Sequence, residues 1–201
     1  MASRQRENSL EVAYRSAADI LKAADPESIC LRTGVSYYQG CYYVRFLNAE
    51  YEIEMADISF TDQSVILIVQ VMILHYLTSS GNTQSHGEFI NFQQIEGGMF
   101  YYHSFQSKAL DKLAAYFTGR EDEFIPKAEK IGGTRWKGEG YSVRIPVFPK
   151  VDLIFQFYPG DEEFPSDGNI LFSDIIENFL PVEDIAFLSG YLVNLLGRAG
   201  M

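Results

Sequence analysis

Two apolar runs, Tyr141-Ser-Val-Arg-Ile-Pro-Val-Phe148 and Val151-Asp-Leu-Ile-Phe-Gln-Phe157, stand two residues apart. Each is strand-length and rich in β-branched and aromatic residues, so the two predict a strand pair. Pro146 sits near the end of the first run and Pro149 falls in the turn. Proline cannot donate to a ladder, which predicts that the first strand is short or lies at a sheet edge. An acidic turn, Gly160-Asp-Glu-Glu-Phe-Pro165, follows, then Asn169-Ile-Leu-Phe172 and the break Phe179-Leu-Pro-Val-Glu-Asp184. The break opens a closing apolar helix. Pro181 suits its first turn, Glu183 and Asp184 complement the positive end of its dipole, and Arg198 the negative end.

Upstream, Gly132-Gly-Thr-Arg-Trp-Lys-Gly-Glu-Gly140 has four glycines in nine residues and reads as a linker. It suggests a sub-division of a single domain, 1–201, into a helix-rich part, 1–131, and a part with the strand pair and last helix, 141–201. In the first part, Leu10, Tyr14, Ala17, Leu21 and Ala24 fall on one helical face, predicting a helix over 8–24 capped by Asn8 or Ser9. Asp25-Pro26 ends it, and a short helix to Arg32 follows, stopped by Gly34. Tyr42 to Leu47 and Tyr51 to Met55 predict a hairpin turning at Asn48-Ala49, with Tyr51, Ile53 and Met55 on one face and Glu50, Glu52 and Glu54 on the other. A third short strand is expected at 57–60. Val65 to Ser79 predicts a helix buried on most sides, with cap candidates in Thr61-Asp-Gln-Ser64. Further helices are expected over 104–117, with Phe105, Ala109, Lys112-Leu113 and Tyr116 in a stripe, and over 122–131. The fold class these elements define is α+β, helices packed on a small, mostly antiparallel sheet, with one sheet or two left open.

A chain of 201 residues and 22.8 kDa, 47% apolar, buries a core without staples. Cys30 and Cys41 fit a reducing compartment and are too few for a four-cysteine metal or cluster site. The first residues carry charges with no apolar run behind them, unlike a secretory signal. The longest apolar run, from Val65, falls well short of the roughly 20 residues a membrane span needs. A cytoplasmic protein is expected. Net charge is −11, and from Val151 onward Arg198 is the sole base against nine acids. That excess repels phosphate backbones and argues against nucleic-acid partners. Its plainest reading is a solvated face.

The sequence holds no nucleophile elbow, dinucleotide fingerprint, phosphate-binding loop or His-Glu-x-x-His helix. What remains is sparser. His86-Gly87-Glu88 places a base and a carboxylate two apart on a polar loop, which suits proton transfer or metal binding. The plainer reading is a loop histidine beside a strand start. His103 follows Phe100-Tyr101-Tyr102, rings that could wall a pocket or simply fill core. His75 ends a long apolar run and reads as a core-edge histidine. Arg135-Trp136-Lys137, between glycines, could close over a ligand with Trp136 as lid, or merely connect. Asp161-Glu162-Glu163 is dense enough for a hard cation but lacks the EF-hand spacing, and an exposed turn is its ordinary role. Cys30, with Arg32 two residues on, and Cys41 lack the neighbours of a nucleophile.

The ordered set Leu74-His-Tyr-Leu77, Gly87-Glu-Phe-Ile-Asn-Phe92, Gly97-Gly98 with Phe100-Tyr-Tyr102, Gly160-Asp-Glu-Glu-Phe-Pro165, Ile170-Leu-Phe172 and Leu180-Pro-Val-Glu-Asp-Ile185 resembles a prokaryotic family known only as a domain of unknown function. The resemblance runs from about Tyr14 to Leu196. That family occurs in anaerobic bacteria and archaea, and its members are often joined to, or encoded beside, a small four-cysteine iron–sulphur domain of the kind seen in corrinoid iron–sulphur proteins. It brings no catalytic residues with it. With only Cys30 and Cys41, this chain is expected to carry no cofactor of its own and to meet an iron–sulphur or corrinoid protein in trans. The resemblance implies a non-catalytic accessory or binding module in anaerobic redox or one-carbon metabolism. The alternative is a small-ligand binder or enzyme with a cleft around His86, Glu88 and His103, walled by Tyr101 and Tyr102.

Overall fold

The computed structural model describes residues 2–81 and 85–199. They form two compact units. The first holds α1 (Ala2–Ala23), α2 (Pro26–Thr33), β1 (Ser36–Tyr38), β2 (Cys41–Phe46), β3 (Ala49–Glu54), β4 (Ser59–Phe60) and α3 (Leu67–Thr78), together with Phe148–Lys150 and Asn178–Leu180. The second holds β5 (Phe89–Asn91), α4 (Gly98–Phe105), α5 (Asp111–Phe117), α6 (Glu121–Lys130), β6 (Thr134–Arg135), β7 (Tyr141–Phe148, its last residue counted with the first unit), β8 (Val151–Tyr158), β9 (Asp167–Ser173) and α7 (Val182–Arg198). The class is α+β, as expected, and the question of one sheet or two is answered by two. Strands β1-β2-β3-β4 make one antiparallel sheet and β5-β9-β8-β7-β6 the other.

In the first unit, Tyr42, Val44 and Phe46 alternate inward on β2, and Ile53 joins them from β3. The intervening residues put Glu50, Glu52 and Glu54 on the opposite face, beside Cys41, Tyr43 and Arg45. The hairpin turns at Leu47-Asn48, one residue earlier than expected, with Leu47 at φ 57°. A left-handed leucine costs roughly 1–2 kcal/mol, and burial of its side chain offsets this. Helix α3 is buried from Val69 to Leu77 apart from Gln70 and His75, which lie half-exposed, so the expectation of a helix covered on most sides holds. It packs against α1. Two cap expectations fail. Helix α1 runs from Ala2, so Ser9 lies inside it and bonds back to the Gln5 carbonyl, as helical serines do. Ile66 stands at the N-cap of α3 without a side-chain bond, because Asp62 is spent on the turn before it, accepting from the Ser64 N–H and hydroxyl. Asp25, by contrast, caps α2 by accepting from the Ser28 N–H, and Gly34 ends that helix at φ 74°.

In the second unit, Phe92, Phe105 and Phe172 form one aromatic cluster, and Phe117, Phe124 and Phe157 another. Helices α4 and α5 are joined by a π-helical turn, Gln106–Leu110, so the helical stripe expected over 104–117 spans two helices. Strand β7 is neither short nor at the sheet edge. Its neighbour β6 pairs only through Thr134↔Arg144 and Arg135↔Val143, so on that side Pro146 faces no ladder and its missing N–H is not needed. The glycine-rich stretch 132–140 is accordingly not a spacer between units: it supplies β6 and the turn into β7, all within the second unit. No helix among the described residues is long and apolar enough to cross a membrane.

Candidate functional site

Strand β8 sorts its residues by parity. Leu153, Phe155 and Phe157 are fully buried, with Phe157 against Phe117 and Phe124 of the helices. Asp152, Ile154 and Gln156 point the other way, with Leu171 and Asn169 of β9 opposite Ile154 and Gln156. On this second face the side chains are mostly polar and bond to one another across strands. Asn169 Nδ2 donates to Gln156 Oε1 at 3.0 Å, and Gln156 Nε2 reaches Ser142 Oγ at 3.5 Å. Arg144 donates to Asp152 through Nε, at 3.0 Å, and through Nη2, both to the single oxygen Oδ2.

Both edges of the sheet place a ring on this face. The Trp136 N–H donates to the Ser142 carbonyl at 2.8 Å, extending the β6 pairing and putting its indole on the side of Ser142 and Arg144. The Arg144 guanidinium lies 5.5 Å from that ring. At the other edge Phe89 of β5 pairs with Ser173 of β9. Between β5 and β6 lie β9, β8 and β7. In a flat sheet four steps of ~4.8 Å would hold the edges about 19 Å apart. Yet the Phe89 and Trp136 rings meet edge-on with centroids 5.7 Å apart. Side chains leaning inward cannot close such a gap alone, so the sheet is curled and the polar face is concave.

On the floor of this concavity Ser173 is 7% exposed, and its hydroxyl has no hydrogen-bond partner among the described residues. It shares a face with Phe89 because cross-strand partners do. Buried hydroxyls are nearly always satisfied, so this one, beside Phe89, stands out on the face.

The rim next to Phe89 is held by Asp174. Its Oδ1 accepts from the Ser85 hydroxyl at 2.6 Å and its Oδ2 from the His86 N–H at 2.8 Å, while its own N–H donates to the Glu88 carbonyl at 3.1 Å. Burial pushes the Asp174 carboxyl up. The Ser85 hydroxyl, the His86 N–H and the charge of the His86 side chain together outweigh burial and hold it below the usual carboxylate range. A carboxyl held low in the folded state adds stability that is fully present above its unfolded value of about 3.9 and is lost as pH falls through the folded value. Asp174→Asn is therefore expected to flatten the acid limb. In urea titrations repeated from pH ~5 downward, the wild type loses unfolding free energy with each step and the variant loses less. Parallel losses would mean that the rim carboxylate is not held.

The residues singled out in the sequence divide. His86, Glu88 and Trp136 lie on the rim and arch of the curled sheet, gathered by Asp174 and Phe89. His103 does not join them: it is exposed on α4, which packs against α7. Tyr101, on the same helix, donates to Glu183 Oε1 at 2.5 Å, and Tyr102 lies 6.2 Å from Phe105, centroid to centroid. Asp161 Oδ1 accepts the Glu163 and Phe164 N–H groups at 2.8 Å, and these bonds hold its carboxyl low. It thus shapes the acidic turn, from which Glu162 and Glu163 extend exposed. Among the described residues no three of His, Cys, Asp and Glu are placed to share a metal ion. The C-terminal acids are largely engaged as well. Asp152 pairs with Arg144, Glu177 accepts the Glu96 N–H, and Asp184 is buried. Cys30 and Cys41 are free thiols, both held up chiefly by burial, which keeps them protonated.

Arg144, Gln156, Asn169, Ser173 and Asp174 were missed as site residues. The first two sit in full view as the polar positions of otherwise apolar runs. What the sequence hides is the curl that turns their face inward.

The fold is thus an α+β scaffold with a curled antiparallel sheet. The chain belongs to the family described as Domain of unknown function (DUF3786), which matches residues 25–195. No curated protein and no solved structure matches the chain.

Proposed function

We propose that the chain is a non-catalytic binding module that holds a small molecule on the concave face of its second sheet. The observation that carries this reading is the approach of Phe89 and Trp136 from opposite sheet edges over a polar floor. Ligand sites are typically concave, ring-lined and supplied with a few convergent polar groups. The first unit has a recess of about 150 Å³ lined by Glu11, Tyr14, Arg15, Leu67 and Gln70. It is smaller than the roughly 300 Å³ at which ligand pockets begin.

The setting is cytoplasmic, in anaerobic redox or one-carbon metabolism, beside an iron–sulphur or corrinoid protein. That part rests on the family resemblance. The row Glu50, Glu52 and Glu54 on the outer face of the first sheet would meet a basic patch on such a partner.

Native mass spectrometry on protein purified without oxygen tests the binding reading. A stoichiometric mass excess that disappears in Trp136→Ala and persists in Phe100→Ala, an exposed ring on α4, is the expected result. An excess retained by Trp136→Ala would place the ligand elsewhere and end the reading.

A further inference from the structure

Resting on the binding reading above, we infer that the ligand of the concave face is a neutral planar heteroaromatic compound with hydrogen-bond donors and acceptors on its edge, the chemistry of a free nucleobase. Three features of the face define this class.

The first is the ring pair. Phe89 and Trp136 meet at 62°, Arg144 lies over the indole at 5.5 Å, and neither ring is fully buried, so the part of the indole that Phe89 and Arg144 leave uncovered is open for a flat ring to stack on. The second is charge. The cation on the floor, Arg144, is already held by Asp152. An anionic ligand would have to displace Asp152 or lie beside it, and a cationic one would face Arg144. A neutral ring meets neither cost. The third is the character of the polar groups. Gln156 and Asn169 are primary amides, each with donors and an acceptor, and both are partly exposed on the concave side. Ser173 adds a hydroxyl able to donate and accept, buried and without a hydrogen-bond partner among the described residues. Leaving such a group unmet is unfavourable, and a ligand edge carrying a ring nitrogen or exocyclic amine would satisfy it. The compound is a free base and not a polymer, because the chain carries a net charge of −11 and would repel a phosphate backbone.

Trp136 is the single tryptophan of the chain, so its emission reports on this face alone. The full chain is titrated with adenine, benzoate and benzamidine, with excitation at the red edge of indole absorption, where these compounds are transparent. Calorimetry is run in parallel. Adenine is expected to change the emission saturably, and Ser173→Ala, checked for folding by circular dichroism, to weaken it about tenfold, as loss of one buried hydrogen bond does. Benzoate and benzamidine are expected to leave the signal unchanged. If either charged ring binds as well as adenine does, the ligand class is wrong while the binding face stands. If adenine binding is indifferent to Ser173→Ala, the hydroxyl is satisfied by water alone and the inference fails. If no ring of any charge alters the emission or releases heat, the inference and the binding reading fall together.

Discussion

Replacing Tyr76 with alanine is expected to destabilise the first unit by about 4 kcal/mol, the upper part of the range for deleting a buried aromatic side chain. Tyr76 is fully buried in α3. Its ring stacks on Phe148 at 4.3 Å between centroids, with the planes 7° apart, and on Phe179 at 5.1 Å. Its hydroxyl donates to the Thr33 carbonyl at 2.5 Å and accepts the Lys150 N–H at 3.2 Å. One side chain thus ties α2, the β7–β8 turn and residues 178–180 to α3 in a single cluster. Burial raises the phenol pKa, so it remains protonated and able to donate over the whole working pH range. Tyr76→Phe separates the two contributions. It keeps the stacking and orphans the Thr33 carbonyl and the Lys150 N–H, at a cost of about 1–3 kcal/mol. Urea unfolding followed by far-ultraviolet circular dichroism measures both. A loss below ~1 kcal/mol for the alanine variant would mean that the cluster does not hold this unit together.

The second large effect is expected at Gly98, the first residue of α4. A Cβ there would lie 2.0 Å from the Phe92 carbonyl oxygen and 3.1 Å from its carbon. Both are backbone atoms of a turn fixed by Phe92 burial and by the Gly98 N–H bond to Ile95, so neither can swing aside. Gly98→Ala is expected to cost about 3 kcal/mol, the top of the usual range for overpacking. Gly119→Ala is the control. Gly119 has φ +72° with open space around it, so alanine there meets only backbone strain, about 1 kcal/mol. Equal losses at the two positions would show that conformation, and not contact with Phe92, makes Gly98 necessary.

Much of this fold is written locally. The alternation of Tyr42, Val44 and Phe46, the alternation of β8, and the unbroken apolar run of α3 each depend on near neighbours, and each is legible. What escapes are features decided at a distance. β1 is three exposed residues that become a strand only by pairing with Cys41 to Tyr43. β6 is two residues in a glycine-rich stretch, given shape by Val143 and Arg144. Leu47 adopts a left-handed turn because the sheet and core accept its side chain, a choice no local propensity predicts.

The site divides in the same way. Trp136 and His86-Gly87-Glu88 stand out by composition, and they lie at the edges of the curled sheet. His103 stands out for a similar reason and lies on a helix with other partners. Ser173 and Asp174 carry no local mark: their roles come from the pairing of β9 with β5. The acid excess of the C-terminal region reads as one face in sequence. In the fold, Asp152, Asp161, Asp174, Glu177 and Glu183 each accept a bond from within the protein, and the ordered acidic row is Glu50, Glu52 and Glu54.

The most direct test of the central claim, that the curled sheet is the binding face, is amide chemical-shift mapping of the labelled chain with a set of neutral, anionic and cationic ring compounds. The account predicts that whichever compound binds shifts the amides of Phe89, Trp136, Gln156, Asn169 and Ser173 and leaves α1 and α3 unmoved. Shifts centred on the recess at Tyr14 and Gln70, or scattered over both units, would contradict it.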